Sequence, residues 1–359
     1  MTVAAPAPTR APVVRSQGRR LAITVVVLAI LFIATITVSA TVGQFPLAPS
    51  EILASIGRRI GLVPVTDADR FADGALWNVR FPRILLGAIV GAALGVAGTI
   101  MQGTFGNPLA EPGVIGVSAG CAVGACSAIV FHLEFLGGAT VPVMAFVFGL
   151  LTTFLVYYLS RSTGRTQILT LVLTGIAVNA VANALIALCV FLADTASREQ
   201  IVFWQLGSLN GASWLAVGTT LPFLVVGLGG ALFAARKLDL LALGERQARH
   251  LGVNVERLRI LSIVCVAILT SAAVAYAGII AFVGLIIPHL LRLIVGPSHR
   301  ALIPASALGG AVLISLSDVL ARTLVPFADL PIGMFTALVG GPVFFILMRK
   351  SLRSGSGLS

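Results

Sequence analysis

The sequence predicts an all-α membrane protein of about ten membrane-spanning helices. Three observations predict it. Apolar residues make up 58% of the 359 and charged residues only 10%, against about 25% charged in a soluble globular chain; the mean hydropathy is +1.04. Apolar runs close to the length of a bilayer crossing recur along the whole chain. Those runs show no period-2 alternation. Helix bundles and closed barrels are the two folds that pair every backbone group inside lipid, and the missing alternation selects the bundle.

Residues 1–20 are rich in Ala, Pro and Arg and are expected to form a disordered tail. The first apolar run, 21–43, ends near Val38-Ser39-Ala40, which faintly resembles a signal-peptidase site. The run is longer than the 7–15 residues of a signal h-region, so it is expected to stay as an anchor. Further spans are expected at 84–103, 113–131, 141–159, 167–192, 214–235, 260–279, 282–296, 304–323 and 332–348. The connection between the seventh and eighth is very short, Ala281-Phe282. Residues 21–350 thus form one membrane domain, and 351–359 a second short tail.

An even number of spans puts both termini on one side, and charge tests the assignment. Seventeen of the 24 Lys and Arg fall on the side of the termini, with four of the 13 acids. The positive-inside bias makes that side cytoplasmic. The net charge of +11 is then explained by span ends and calls for no nucleic acid. Cys121, Cys126, Cys189 and Cys265 all lie in apolar runs and none forms CxxC, so they read as small buried hydrophobes rather than metal ligands.

The largest loop on the cytoplasmic side is 236–259, and within it GERQARHLGVNVERLR (244–259) is polar yet patterned. Ala248, Leu251, Val255 and Leu258 are spaced 3, 4 and 3 apart, a helical stripe. Gly252 suits the left-handed end of one short helix, and Asn254 can cap a second with Glu256 near its positive end. The pattern allows two readings: a helix lying on the lipid surface, or a face that meets a partner.

Inside the membrane, Gly87, Gly91 and Gly95 form GxxxGxxxG, followed by Gly98, a spacing that lets helix backbones approach closely. Gly340-Gly341-Pro342 is expected to break the last span, and Gly278 and Gly284 flank the short connection. NPLAEPG (107–113) holds two prolines and cannot continue a helix. Asn179 and Asn183 lie four apart on the fifth span, as interhelical hydrogen-bonders or as the wall of a wet pathway. Asp318 and Arg322 are four apart in the favourable order, which offsets the insertion cost of a lone carboxylate. Arg80 and Arg83 flank Phe81-Pro82, where headgroup anchoring is the simplest reading. No GxxxxGK[ST] or HExxH motif is present, so ATP-driven work requires a separate chain.

These stretches together resemble the FecCD-type permeases of ABC importers. The landmarks are RFPR (80–83) before the glycine-rich helix, MQGTFGNPLAEPG (101–113), GVSAG (116–120), LTGIAVN (173–179), WQLGSLNGASW (204–214), LGERQARHLGV (243–253), FVGLIIPH (282–289), ART (321–323) and LPIGMFTALVGGPVFF (330–345). The resemblance covers about 76–350, with little in 1–20 or 44–75. It implies a type II ABC importer permease fold and a dimer with a second permease subunit, identical or paralogous. It also implies two cytoplasmic ATPases holding ATP and Mg, an extracytoplasmic solute-binding protein, and no cofactor in this chain.

The resemblance also assigns residues. Glu245, Ala248, Leu251 and Gly252 match the helices that couple to the ATPase. Arg80 and Arg322 match positions paired with acids on the binding-protein lobes, as exposed pairs. Asn107 and Leu109 match the loop that narrows the cytoplasmic gate, with Thr166 and Gln167 in the neighbouring loop. Met101, Asn179 and Asn183 would line the pathway. The expected function is a non-enzymatic permease subunit that imports a ferric siderophore across the bacterial inner membrane. Haem or cobalamin is the alternative within the family. An ion-coupled secondary transporter is the rival class, and a passive channel is the third.

Overall fold

The computed structural model describes residues 12–43, 45–64, 66, 69–162, 165–325 and 328–353. In chain order the described residues form α1 (Pro12–Thr41), α2 (Pro49–Arg59), α3 (Arg70–Ala75), α4 (Phe81–Phe105), α5 (Val117–Val130) and α6 (Thr140–Leu159). A two-stranded antiparallel ribbon follows, β1 (Arg161–Ser162) and β2 (Arg165–Thr166). Then come α7 (Ile168–Leu192), α8 (Thr195–Leu206), α9 (Trp214–Leu241), α10 (Glu245–His250), α11 (Val255–Ala277), α12 (Val283–Val295), α13 (His299–Thr323) and α14 (Ile332–Arg353).

Seven stretches are long and apolar enough to cross a membrane, and three shorter apolar helices, within α5, α12 and α14, complete the expected set of about ten. The helices alternate between two ends of a bundle. One end holds α10 and the 106–116 loop. The opposite end holds the start of α4 and the end of α13.

The element boundaries follow local chemistry. Pro12 occupies the first helical position, where its missing N–H costs nothing. From there α1 runs without interruption, so residues 12–20 of the expected tail are helical; residues 1–11 and 354–359 lie outside the described residues. Gly340-Gly341-Pro342 does not break the last span, because α14 continues through Pro342. A bundle interior tolerates a helical proline when neighbours re-satisfy the freed backbone groups. Gly340 instead makes room for a ring: a Cβ there would sit 2.5 Å from the Phe282 Cβ. The short connection is a real interruption between α11 and α12, with Gly278 at φ +68 and Phe282 at φ +67.

The core is built around α4. Its most apolar window is 89% buried, against 11% for α1 and 22% for α7. The glycine series explains how. A Cβ at Gly91 would lie 2.2 Å from the Gly310 carbonyl oxygen, and one at Gly310 would lie 2.0 Å from the Gly91 oxygen. Gly95 meets the Ser306 oxygen and Gly98 the Gly284 oxygen in the same way. Lipid provides no hydrophobic drive between helices, so backbone approach of this kind supplies the packing. Threonine hydroxyls in the spans bond back to carbonyls four residues earlier, as Thr99 does to Gly95 and Thr153 to Gly149, both at 2.9 Å.

Gly91→Ala is therefore expected to separate α4 from α13 at a cost of about 1–3 kcal/mol, the usual range for overpacking. The midpoint of unfolding in detergent checks this. Gly218→Ala, where nothing lies within 4 Å of the added carbon, serves as the control.

Candidate functional site

The polar segment at 244–259 folds as two capped pieces. Gly244, at φ +108, opens α10 and Gly252, at φ +84, closes it. Leu251 N–H bonds to the Gln247 oxygen and Val253 N–H to the Ala248 oxygen, which turns the chain back. Asn254 accepts a hydrogen bond from the Arg257 N–H at 3.0 Å, as an N-cap should. The expected second short helix is the first turn of α11 itself, since no residue after the cap interrupts it.

The stripe divides. Ala248, Val255 and Leu258 are buried with Ala234, Leu238 and Leu241 of α9. Leu251 is 58% exposed. The segment is thus welded to α9 and α11 by one face while Leu251 points away from that cluster.

Glu245 works inward. It accepts from Arg249 at 3.1 Å and pairs with Arg259, whose side chain is only 6% exposed. Tyr157 of α6 donates to Glu256 at 3.2 Å. An open cleft of about 720 Å³ lies here, lined in part by Gln167, Glu245, Arg249, Asn254 and Arg259. Gln167 therefore sits beside the 244–259 segment. Thr166 lies on β2, where its backbone pairs with Arg161.

The 106–116 loop is also held firmly. Gly106 leaves α4 in the left-handed region at φ +61. The Asn107 carboxamide oxygen accepts from the Leu109 N–H at 2.9 Å, closing a turn. Pro112–Ile115 form a single tight helical turn. Asn179 of α7 donates to the Gly113 oxygen at 3.2 Å, and a Cβ on Gly175 would lie 2.0 Å from the Val114 oxygen. Glu111 accepts from the Phe282 N–H at 3.3 Å, so the loop is tied to the α11–α12 interruption. Burial raises the Glu111 carboxyl above its usual pKa, and the Phe282 hydrogen bond opposes that shift.

At the opposite end a charge cluster closes the bundle. Asp318 accepts from Arg83 Nε at 2.9 Å and from Arg322 Nε at 3.1 Å. Arg83 also donates to Asp329 at 2.9 Å. Arg322 donates to Ser39 Oγ at 2.7 Å, and Arg80 to the carbonyls of Ala40 and Phe45. The cluster fastens the end of α1 to α4 and α13.

Three expectations change. Arg80 and Arg322 are not exposed pairs: Arg80 is 7% exposed and the Arg322 side chain 11%, with donors of both engaged inside the chain. Met101, expected to line the pathway, is fully buried in the α4 core here rather than on the protomer surface. Asn179 and Asn183 separate: Asn179 is half-buried against Gly113, while Asn183 is exposed on the broad open face of α7.

Other residues carry more than the sequence reading assigned. Arg83 was legible as a charge at a span start, but its two partners lie more than 230 positions away. The Glu245–Arg259 pair spans the α10–α11 corner and has no helical period to announce it.

The comparisons fit this geometry. The model of the FecCD transport family matches residues 30–350. The hemin transport system permease protein HmuU of Yersinia pestis is 42% identical over 298 residues, 79% of this chain and 87% of that protein. The cobalamin import system permease protein BtuC of Halobacterium salinarum is 36% identical over 353 residues, 89% and 94% of the two chains. The iron(3+)-hydroxamate import system permease protein FhuG of Bacillus subtilis is 38% identical over 282 residues, 77% and 84%. A metal-chelate type ABC transporter solved in an inward-facing conformation superposes with a TM-score of 0.79 at 34% identity, covering 90% of this chain and 97% of that one. With the family model matched over most of its length and relatives above 30% identity covered to more than two thirds, this chain belongs to the FecCD transport family.

Proposed function

We propose that this chain imports a ferric siderophore as the permease subunit of an ATP-driven transporter in the bacterial cytoplasmic membrane. The pathway runs between two permease subunits and opens alternately to either side. The end bearing 244–259 faces the cytoplasm, as the basic bias of that end supports. Two ATPase chains dock there and hold the ATP and Mg. A solute-binding protein delivers the chelate at the opposite end.

The observation that carries this reading is the 244–259 segment. A helix lying on lipid needs no weld to the bundle. Here Ala248, Val255 and Leu258 lock the segment to α9 and α11, so a push on α10 is passed to two spans. Arg80 and Arg322, being buried, support delivery by fixing the mouth at the end of α1 rather than by reaching out. Asn183 and the small residues beside it on α7 offer a surface for a bulky chelate. The named cargoes of the relatives, hemin, cobalamin and iron(3+)-hydroxamate, favour a chelate.

The test is reconstitution with the ATPase and binding protein that co-purify, followed by uptake of labelled ferric hydroxamate, hemin and cobalamin with and without ATP. ATP-dependent uptake of the ferric chelate is expected. Uptake of hemin or cobalamin alone reassigns the cargo. Uptake driven by an ion gradient without the ATPase overturns the mechanism.

A further inference from the structure

The end of α9 makes a second contact besides the weld under α10, and it leads toward the 106–116 loop. Leu238 and Leu241 enter the buried cluster with Ala248 and Val253. Asp239 turns to a different side. Its Oδ1 accepts from the His299 backbone N–H at 2.6 Å and lies 2.8 Å from His299 Nδ1; its Oδ2 accepts from Ser298 Oγ at 3.1 Å. An ionised carboxylate only accepts, so Nδ1 carries the shared proton. One side chain of α9 thus caps the start of α13 and grips its first residue.

His299 is 3% exposed, and its ring reaches a third helix. A Cβ on Gly103 of α4 would lie 2.2 Å from His299 Nε2. Nε2 is buried and has no hydrogen-bond partner among the described residues, so contact rather than bonding holds the ring there. Two residues beyond Gly103, α4 ends at Phe105 and the 106–116 loop begins. The physical chain is continuous: α10, the end of α9, Asp239, His299, Gly103, then the loop. Coupling between sites travels through packed and hydrogen-bonded contacts of this kind when the elements they join can take two arrangements.

We propose that Asp239 and His299 are positioning residues that pass displacement of the 244–259 segment to the 106–116 loop. The proposal rests on the transport reading above. It separates this junction from the Gly91–Gly310 packing, which holds the same two helices together by direct backbone contact.

The experiment uses the full transporter with its ATPase. A reporter, Leu109→Cys, is labelled with a water-soluble maleimide in the nucleotide-free state and after trapping with ATP and vanadate. The four native cysteines are buried. In the parent the labelling rate is expected to differ by about five-fold or more between states, the low end of typical coupling. Asp239→Ala should collapse that difference while ATP hydrolysis stays within about two-fold of the parent. Asp239→Asn, which keeps an acceptor for the His299 N–H, should restore most of it. Gly103→Ala, which leaves the Asp239 contact atoms in place but evicts the ring, should act like Asp239→Ala. A purely structural weld predicts lower stability with the nucleotide response intact, and that result in Asp239→Ala or Gly103→Ala overturns the proposal. If both fail to assemble, Ser298→Ala removes one hydrogen bond and must narrow the difference; no narrowing also overturns it. A parent with no nucleotide response at all speaks against the transport reading rather than against this junction.

Discussion

Asp318→Ala will destabilise the bundle by about 3–5 kcal/mol, the range for removing one member of a buried ion pair. Asp318 is 2% exposed and accepts from two guanidinium groups. Around it stand Arg80, Arg83 and Arg322 against Asp318 and Asp329. Without Asp318, three buried or half-buried cations face one carboxylate. Arg322 then loses its ion pair with Asp318 and Arg83 one of its two carboxylate partners among the described residues. The damage should spread to α1, because Arg322 holds Ser39 and Arg80 holds Ala40 and Phe45. Tryptophan fluorescence during denaturation in detergent reads the loss, and protease access at 42–48 reads the release of α1. Arg322→Met in the Asp318→Ala background should recover part of the stability, since the cation that loses its ion pair is removed with it. Asp318→Ala within about 0.5 kcal/mol of the parent, the range of an ordinary surface substitution, would show that the cluster is solvated and holds nothing.

Those partners also show where a sequence reading stops. The spans were legible because apolar length is a local property, and the glycine series because close packing in lipid needs small residues at fixed spacing. The caps at Gly252 and Asn254 were legible for the same reason: each acts on its own neighbours. Arg83 with Asp329, and Asp239 with His299, were not, because each pair is joined by the fold across intervening spans and neither partner has a local signature. Exposure was the other blind spot. Met101 sits in a stretch that resembles the pathway of the family, yet it is fully buried in α4, which packs against α9, α11, α12 and α13. Arg80 and Arg322 lie at a span end, where arginine ordinarily meets water, and only the folded end of α1 buries them. At 12–20 composition suggests disorder, whereas α1 begins at Pro12: an adjoining span extends its helix into such a stretch at little cost once nucleated.

Leu251→Asp will separate the motor from the permease while leaving the permease folded. Leu251 is the member of the 244–259 stripe that the bundle does not use, 58% exposed beside three buried neighbours. A surface change of that kind is worth within about 0.5 kcal/mol of stability, so the unfolding midpoint should hold. At a docking face it would bury a carboxylate against the partner, and losing a central apolar anchor commonly costs about 2 kcal/mol or more of binding. Stimulation of the ATPase and uptake should therefore fall by about ten-fold or more, since each 1.4 kcal/mol is a factor of ten. Glu245→Arg is the weaker probe. It adds a third cation beside Arg249 and the buried Arg259, so its loss of coupling mixes docking with damage to the α10–α11 corner. The two variants divide the question. Glu245→Gln, which keeps shape and an acceptor toward Arg259, should retain most coupling if Glu245 serves the corner. ATPase retention on the Leu251→Asp permease during purification, measured beside hydrolysis, decides the rest: full retention with full stimulation would mean that the motor grips some other surface.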